Sequence, residues 1–253
     1  MDALPTRHVP RRRLVDLLTA EPVALVEAGG GFGKSVLVAE LQERLGIATV
    51  TARLDGRSSP TGAIRHAARR AGLSDVAAAL EVDGGADALA QALAREPAPV
   101  LVVVDEVQHA DPPTVTLLRD LATGLPPGHR LVLVGRRLDP VLHALQNVPL
   151  VDAAALTFTP IELEHLVADP AHARQILAAT AGWPAASALA AERLRRAPHL
   201  PLPAAGLGAL VDGMLAAPDT DLAVLGHLPL LSDAVAAACA GEGALARLRA
   251  TGL

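Results

Sequence analysis

The chain has 253 residues, a net charge of −5 and a hydrophobic fraction of 51%, which is ample for a core in one large domain or two to three smaller ones. The negative charge and an aromatic fraction of only 1% argue against a dominant nucleic-acid surface, and the single cysteine, Cys239, excludes an intrachain disulfide. Because there is no signal peptide and no apolar run long enough for a membrane span, we expect a soluble, cytoplasmic protein.

The first predicted elements surround a glycine-rich loop. Arg11, Arg12 and Arg13 lead into a short amphipathic helix, and we interpret them as a solvated face rather than as an anion or DNA contact. The apolar run at 23–26 predicts a strand, and leucines repeating every four residues predict a helix that ends at Gly46. Between them lies AGGGFGKS at 28–35, so strand, loop and helix follow one another as a phosphate-binding P-loop requires.

Each residue type in this loop has a reason in phosphate chemistry, although a glycine-rich turn without a ligand is the alternative. Glycines allow positive φ and bring backbone N–H groups close to phosphate oxygens. Lys34 is the only lysine among 22 basic residues, and a compact charge suits the β- and γ-phosphates. The Ser35 hydroxyl is expected to hold Mg²⁺. We therefore predict an ATP/ADP and Mg²⁺ site formed by Ala28, Gly29, Gly30, Gly31, Phe32, Gly33, Lys34, Ser35 and Val36.

Strands alternate with helices as far as residue 155. Apolar or β-branched runs at 47–54, 100–104, 131–134 and 149–151 predict further strands, which favours an α/β fold with a parallel sheet flanked by helices. From residue 156 onward the strand pattern disappears. Helices are predicted over 160–168, 170–181 and 184–197, before a proline-rich stretch at 197–203. We therefore predict a P-loop NTPase domain over 1–155 and a helical, lid-like domain over 156–200.

Charged residues follow two of the buried strands. Asp105 and Glu106 stand at the carboxyl end of the run at 100–104, the edge where open α/β sheets bind ligands. We expect Asp105 to join the Mg²⁺ shell and Glu106 to polarise the attacking water; the alternative is a polar strand end without chemistry. Arg136 ends the next strand and is expected to stabilise γ-phosphate charge, with Arg137 as a substitute and a surface arginine as the alternative. Lys34, Asp105, Glu106 and Arg136 form the predicted catalytic set.

The order of GGGFGKS, VLVVVDE, LVLVGRR, TFTP and AGWPAA resembles the STAND class of P-loop ATPases, relatives of the AAA+ ATPases. Within it, the chain resembles the amino-terminal ATPase module of MalT-like and large LuxR-type transcriptional activators, over roughly residues 5–197. The resemblance implies that Pro184 lies near the adenine, with Val9 and Pro10 opposite. It also implies an incomplete winged-helix-like segment over 201–253, which is consistent with a fragment or a truncated gene product. Gln108 departs from the family pattern, which often has histidine there.

This resemblance implies a slowly hydrolysing, nucleotide-dependent switch. ATP and Mg²⁺ would bind between the α/β and helical domains. The ADP form would be closed and monomeric, and the ATP form would self-associate and support transcription activation. DNA would be contacted only through a domain that is not evident in this chain. The main alternative is an AAA+ mechanical or DNA-loading ATPase with continuous turnover, for which Arg119, Arg130 or Arg137 would be arginine-finger candidates. A P-loop phosphotransferase and a non-hydrolysing, nucleotide-stabilised scaffold are further alternatives.

Overall fold

The computed structural model describes residues 8–56, 59–81 and 85–196, so the winged-helix-like segment predicted over 201–253 lies outside the described residues. The contacts divide the chain into two compact units, each assembled from separate stretches of sequence. A sheet unit contains the described residues within 12–27 and 37–152, and a helical unit contains residues 8–11, 28–36 and 153–196. The elements are α1 Arg12–Ala20, β1 Val23–Glu27, α2 Lys34–Leu45, β2 Ala48–Arg53, α3 Pro60–Arg70, α4 Ser74–Ala79, α5 Ala86–Arg95, β3 Val100–Asp105, a 3₁₀ turn Val107–His109, α6 Pro112–Thr123, β4 Arg130–Gly135, α7 Pro140–His143, β5 Leu150–Val151, α8 Ala153–Leu156, α9 Pro160–Val167, α10 Pro170–Thr180 and α11 Pro184–Arg196.

The sheet unit is built on parallel strands. In the described part of the chain, five strands form one sheet in the order β2-β3-β4-β1-β5. The register pairs Arg53 with Asp105 and Glu27 with Gly135, so neighbouring strands end at the same edge. This arrangement confirms the predicted α/β fold with a parallel sheet flanked by helices.

The central strands are apolar throughout because helices cover both faces of a parallel sheet. In β3, residues 100–104 are all buried, and only the final Asp105 is partly exposed. Each fully buried Leu or Val side chain contributes about 1.5–3 kcal/mol relative to an exposed one. The same covering leaves only the strand ends open to polar side chains, which concentrates charged residues at that edge.

The start of α6 shows how the sequence sets a helix boundary. Asp111 is the N-cap, and its carboxylate accepts a hydrogen bond from the Thr114 backbone N–H at 3.0 Å. Hydrogen bonds from Thr114 lower the pKa of Asp111 below its ordinary value. Proline at the first helical position has a φ suited to the helix and needs no partner for a missing N–H. An acid followed by proline is typical of such a helix start.

The helical unit packs α9, α10 and α11 around a small apolar core. Its buried members are Leu163, Ala173, Ile176, Ala190, Ala191 and Leu194. Helix α9 begins with a capping box, in which Thr159 and Glu162 exchange hydrogen bonds at 2.8 and 3.3 Å. Within the described ranges, every helix is too short or too polar to span a bilayer.

Arg11 corrects one expectation from the sequence. Arg12 and Arg13 are exposed, but Arg11 is only 4% exposed. Its Nε lies 3.2 Å from Glu162 Oε1, its Nη2 donates to the Leu156 carbonyl at 2.6 Å, and its guanidinium lies 4.7 Å from the Phe158 ring centroid. A carboxylate, a carbonyl and an aromatic face compensate for burying the charge. The interpretation of Arg11 as part of a solvated face was therefore wrong.

Candidate functional site

The residues predicted to bind nucleotide fall into the helical unit. Residues 28–36, Val9, Pro10 and Pro184 all belong to it, although they come from three separate stretches of the chain. Val9 and Pro184 are buried, whereas Pro10 is exposed. The residues predicted to act on the metal and on water, Asp105 and Glu106, belong to the sheet unit.

The glycine-rich loop turns through two left-handed residues before α2. Gly31 has φ +75° and Gly33 has φ +80°, conformations that a residue with a Cβ adopts only at a cost. Lys34 is the first residue of α2, and its Nζ donates to the carbonyl oxygens of Ala28 at 2.6 Å and Gly29 at 2.8 Å. These two bonds hold the ammonium against the beginning of the loop. The loop therefore surrounds the Lys34 ammonium group at the amino-terminal end of α2.

This loop fits a phosphate group together with Mg²⁺. A Cβ placed on Gly33 would meet no other atom within 4 Å, so the backbone there is open to an approaching ligand. Ser35 is exposed in the first turn of α2, where backbone N–H groups and the helix dipole favour an anion. Mg²⁺ takes one or two protein ligands and completes its shell with phosphate oxygens and water. A single exposed hydroxyl is therefore an adequate contribution from this loop.

The segment Gly182-Trp183-Pro184 lies directly against the loop. The Trp183 ring centroid is 6.4 Å from that of Phe32, and the Ala185 backbone N–H donates to the Gly31 carbonyl at 3.0 Å. A Cβ on Gly31 would lie 2.9 Å from both Trp183 Cζ2 and the Ala185 Cβ. The sequence interpretation assigned Pro184 to the base and missed this contact. It joins the predicted phosphate loop to the start of α11.

The acid pair follows β3 in an unusual backbone conformation. Glu106 has φ +58° and ψ +40°, the left-handed region, which costs a residue with a side chain about 1–2 kcal/mol. The Asp105 carboxylate accepts a hydrogen bond from the Glu106 N–H at 2.8 Å. Strained backbone of this kind concentrates at functional sites, where the surrounding structure enforces it. The conformation is a local signal that agrees with the role predicted for the pair.

Three strand ends supply partners to the Glu106 carboxylate, which is 18% exposed. Arg53, the last residue of β2, places Nη2 3.2 Å from Oε1, and Gln108 donates its side-chain N–H to Oε2. Arg136, just after β4, places Nε 4.0 Å from Oε2, and its backbone N–H donates to Gln108 Oε1 at 2.9 Å. The predicted Arg136 therefore contacts Glu106, whereas the Arg137 side chain is exposed.

Arg53 and Gln108 are the members of this cluster that sequence reasoning did not assign. No short motif marks Arg53, and Gln108 was noted only as a departure from a family pattern. A usable signal did exist, because polar residues that end neighbouring parallel strands meet at one edge of the sheet. The cluster places two cations and an amide around the Glu106 carboxylate, where they compete with water for its oxygens.

Comparison with known proteins shows that part of the chain matches a domain family. Residues 19–139 match the AAA domain family, and no curated protein matches the sequence. The fold is similar to that of a Signal Transduction ATPase with Numerous Domains (STAND) protein with a tetratricopeptide repeat sensor from Pyrococcus horikoshii, at 15% identity and a TM-score of 0.54. That match covers 72% of this chain and only 29% of the STAND protein.

Two further structures are similar. Cdc6p from Pyrobaculum aerophilum has 16% identity and a TM-score of 0.51, with 99% of this chain and 88% of that chain covered. A Walker-type ATPase of Pyrococcus abyssi has 15% identity and a TM-score of 0.48, with 77% of this chain and 68% of that chain covered. At these identities, the similarity concerns the fold alone.

Proposed function

We propose that the protein binds ATP with Mg²⁺, hydrolyses it slowly and works as a signal-transduction switch, because residues 19–139 match the AAA domain family. In this proposal, exchange of ADP for ATP controls self-association. The fold shared with a STAND protein and the order of the sequence motifs support a switch in a transcriptional regulator of the MalT-like or large LuxR type. Contact with DNA would belong to a domain that is not evident in this chain.

The chain offers a donor for each part of a triphosphate. The backbone N–H groups of the loop and the Lys34 ammonium bind phosphate oxygens, and Ser35 and Asp105 hold the metal. Bound Mg²⁺ neutralises charge on the β- and γ-phosphates. The adenine base of the nucleotide lies against Pro184, with Val9 and Pro10 opposite. The roles of the loop, Lys34, Ser35 and Asp105 follow from residue chemistry and from their positions at a strand end or a helix start, whereas those of Pro184, Val9 and Pro10 are implied by the resemblance to the STAND class.

Slow turnover follows from the partners of Glu106. In its proposed role, Glu106 accepts a proton from the attacking water, while Arg136 stabilises charge on the γ-phosphate. Arg53 and Gln108 engage both carboxylate oxygens of Glu106. In this proposal, these partners compete with water for the carboxylate and slow the reaction, which suits a switch better than a continuously working motor.

The contact of Trp183 and Ala185 with Gly31 is the observation that carries the switch proposal. Phosphate binding reorganises a loop that turns at Gly31, and the start of α11 is packed against that turn. A ligand shifts a conformational equilibrium only through contacts that differ between the two states. In this proposal, the packed turn provides such a difference, because a changed loop conformation would change its contacts with the start of α11.

The first test is a direct Mg·ATP binding assay with the Lys34→Ala variant. Because hydrogen bonds from a charged group contribute about 1.5–3 kcal/mol, we expect the affinity to fall by about tenfold or more. The matched control is Arg44→Ala, which removes an exposed cation from the other end of α2 and should leave the affinity unchanged. An unchanged affinity in Lys34→Ala would contradict the proposal.

The second test separates binding from turnover. Glu106→Gln should keep ATP affinity and lose hydrolysis, and mass spectrometry of nucleotide released from the purified protein should find ADP. Light scattering should show monomers with ADP and larger species with a non-hydrolysable ATP analogue. Unaltered hydrolysis in Glu106→Gln would remove that residue from its role. Stable hexamers with rapid basal turnover would instead indicate the mechanical or DNA-loading ATPase.

A further inference from the structure

A small cavity lies in the sheet unit between β2 and α3, at the edge of the sheet. Its volume is about 290 Å³, and it is lined by residues 51–53 of β2 and by Gly62, Ala63, His66 and Arg70 of α3. Strand β2 is the outermost strand on this side of the sheet. Residues 62, 66 and 70 recur at helical spacing, so one face of α3 forms the opposite wall.

The lining combines short side chains with basic ones. Three of the lining residues, Ala52, Gly62 and Ala63, have little or no side chain, which leaves space inside the cavity for a ligand. Arg53, His66 and Arg70 are exposed at the same cavity, and no acidic residue belongs to its lining. This concentration of positive charge is local, because the whole chain has a net charge of −5.

These features define a class of ligand. A volume of about 290 Å³ is at the lower end of small-molecule sites and is too small for a nucleic-acid strand or a folded partner. Guanidinium groups bind phosphate and carboxylate in bidentate geometry, whereas the small apolar wall suits a compact hydrocarbon body. We propose that this cavity binds a small organic anion with an apolar body and a phosphate or carboxylate head, and that its binding draws Arg53 away from Glu106.

Arg53 links the cavity to the acid cluster. Its side chain is 73% exposed and lines the cavity, and its Nη2 also lies 3.2 Å from Glu106 Oε1. An anionic head in the cavity competes with the Glu106 carboxylate for this guanidinium. Once Arg53 turns to the ligand, Glu106 loses one of its cationic partners and gains access to water. This step rests on the proposed function, and the ligand would then act as an activator of hydrolysis.

Binding is tested without nucleotide, by calorimetric titration of the whole chain with phenyl phosphate and, separately, with benzoate. We expect saturable binding of at least one probe, and comparison of the two identifies the preferred head group. Arg70→Ala should weaken that binding by about tenfold, as expected for a charge-assisted contact. The matched control is Arg65→Ala, on the same helix but outside the cavity lining, which should bind like the wild type.

Two results would overturn the assignment of the cavity. One is the absence of saturable binding by both probes, and the other is equal affinity in Arg70→Ala and the wild type. Binding to the glycine-rich loop is excluded by repeating the titration with Lys34→Ala, which should retain the probe. If Lys34→Ala abolishes binding, the probe occupies the loop and the assignment is wrong.

Coupling is tested by steady-state ATP hydrolysis with a saturating concentration of the probe that binds. Because an exposed ion pair contributes up to about 1 kcal/mol, its loss should raise the rate by up to about fivefold. Arg53→Ala should remove this response. A bound probe with no change in rate would overturn the coupling. A wild type that hydrolyses no ATP would contradict the proposed function and the coupling together, while the nucleotide-free titration would still decide whether the cavity binds an anion.

Discussion

Gly31→Ala is expected to destabilise the helical unit by about 2–5 kcal/mol. The first part is backbone strain, because φ at this position is +75° and a left-handed conformation costs an L-residue about 1–2 kcal/mol. The second part is overpacking, because the new Cβ would lie 2.9 Å from Trp183 Cζ2 and from the Ala185 Cβ. Overpacking in a close-packed region costs about 1–3 kcal/mol.

The neighbours cannot easily move aside. Trp183 is only 2% exposed, and the Ala185 N–H donates to the Gly31 carbonyl itself. Gly33→Ala is the matched control, because Gly33 has a similar φ of +80° and a Cβ there would meet nothing within 4 Å. Gly33→Ala should therefore lower the free energy of unfolding only by the backbone strain of about 1–2 kcal/mol. The difference between the two variants therefore isolates the packing of the loop against Trp183.

The assay is urea unfolding followed by tryptophan fluorescence. Trp183 is the only tryptophan in the chain and belongs to the helical unit, so its signal reports on that unit. Local reporting matters because a chain with two compact units need not unfold in one cooperative step. Equal destabilisation by Gly31→Ala and Gly33→Ala would refute the packing argument and, with it, the structural basis of the switch.

Three further predictions concern stability. Arg11→Ala removes one partner of a buried ion pair and should lower the free energy of unfolding by about 3–5 kcal/mol. The control Arg12→Ala, at an exposed position, should lower it by less than about 0.5 kcal/mol, and thermal unfolding tests both values. Burial lowers the pKa of His129, whose Nδ1 accepts the Val100 N–H at 3.2 Å. Because the unfolded chain then takes up a proton at higher pH than the folded one, stability should fall as pH drops below about 6.5, and His129→Gln should remove that part of the pH dependence. Asp111→Ala should cost about 1 kcal/mol through loss of the N-cap, and an unchanged urea midpoint would contradict this role.

The parts of the fold that the sequence predicted depend on interactions between near neighbours. The valine run at 100–104 predicts a buried parallel strand because both faces of such a strand are covered. The pattern Thr159, Pro160, Glu162 predicts a helix start because each residue satisfies a backbone group within one turn. The glycine-rich loop before Lys34 was found for the same reason.

The parts that escaped prediction depend on pairs that are distant in sequence. Arg11 and Glu162 are 151 positions apart, and no local pattern distinguishes Arg11 from its exposed neighbours. Arg53 and Glu106 meet only because β2 and β3 are adjacent in the sheet. The sequence around Glu106 likewise does not reveal its left-handed backbone, which the surrounding tertiary structure imposes.

The discontinuous build of the helical unit affects how this protein can be dissected. A shortened chain that stops after residue 152 would retain every strand of the described sheet but would delete the partners of Gly31 and of Arg11. Loss of ligand affinity in such a truncation would then report on a collapsed loop and would not show that the missing residues touch the nucleotide. Point substitutions in the intact chain are therefore the sound way to map its binding surface.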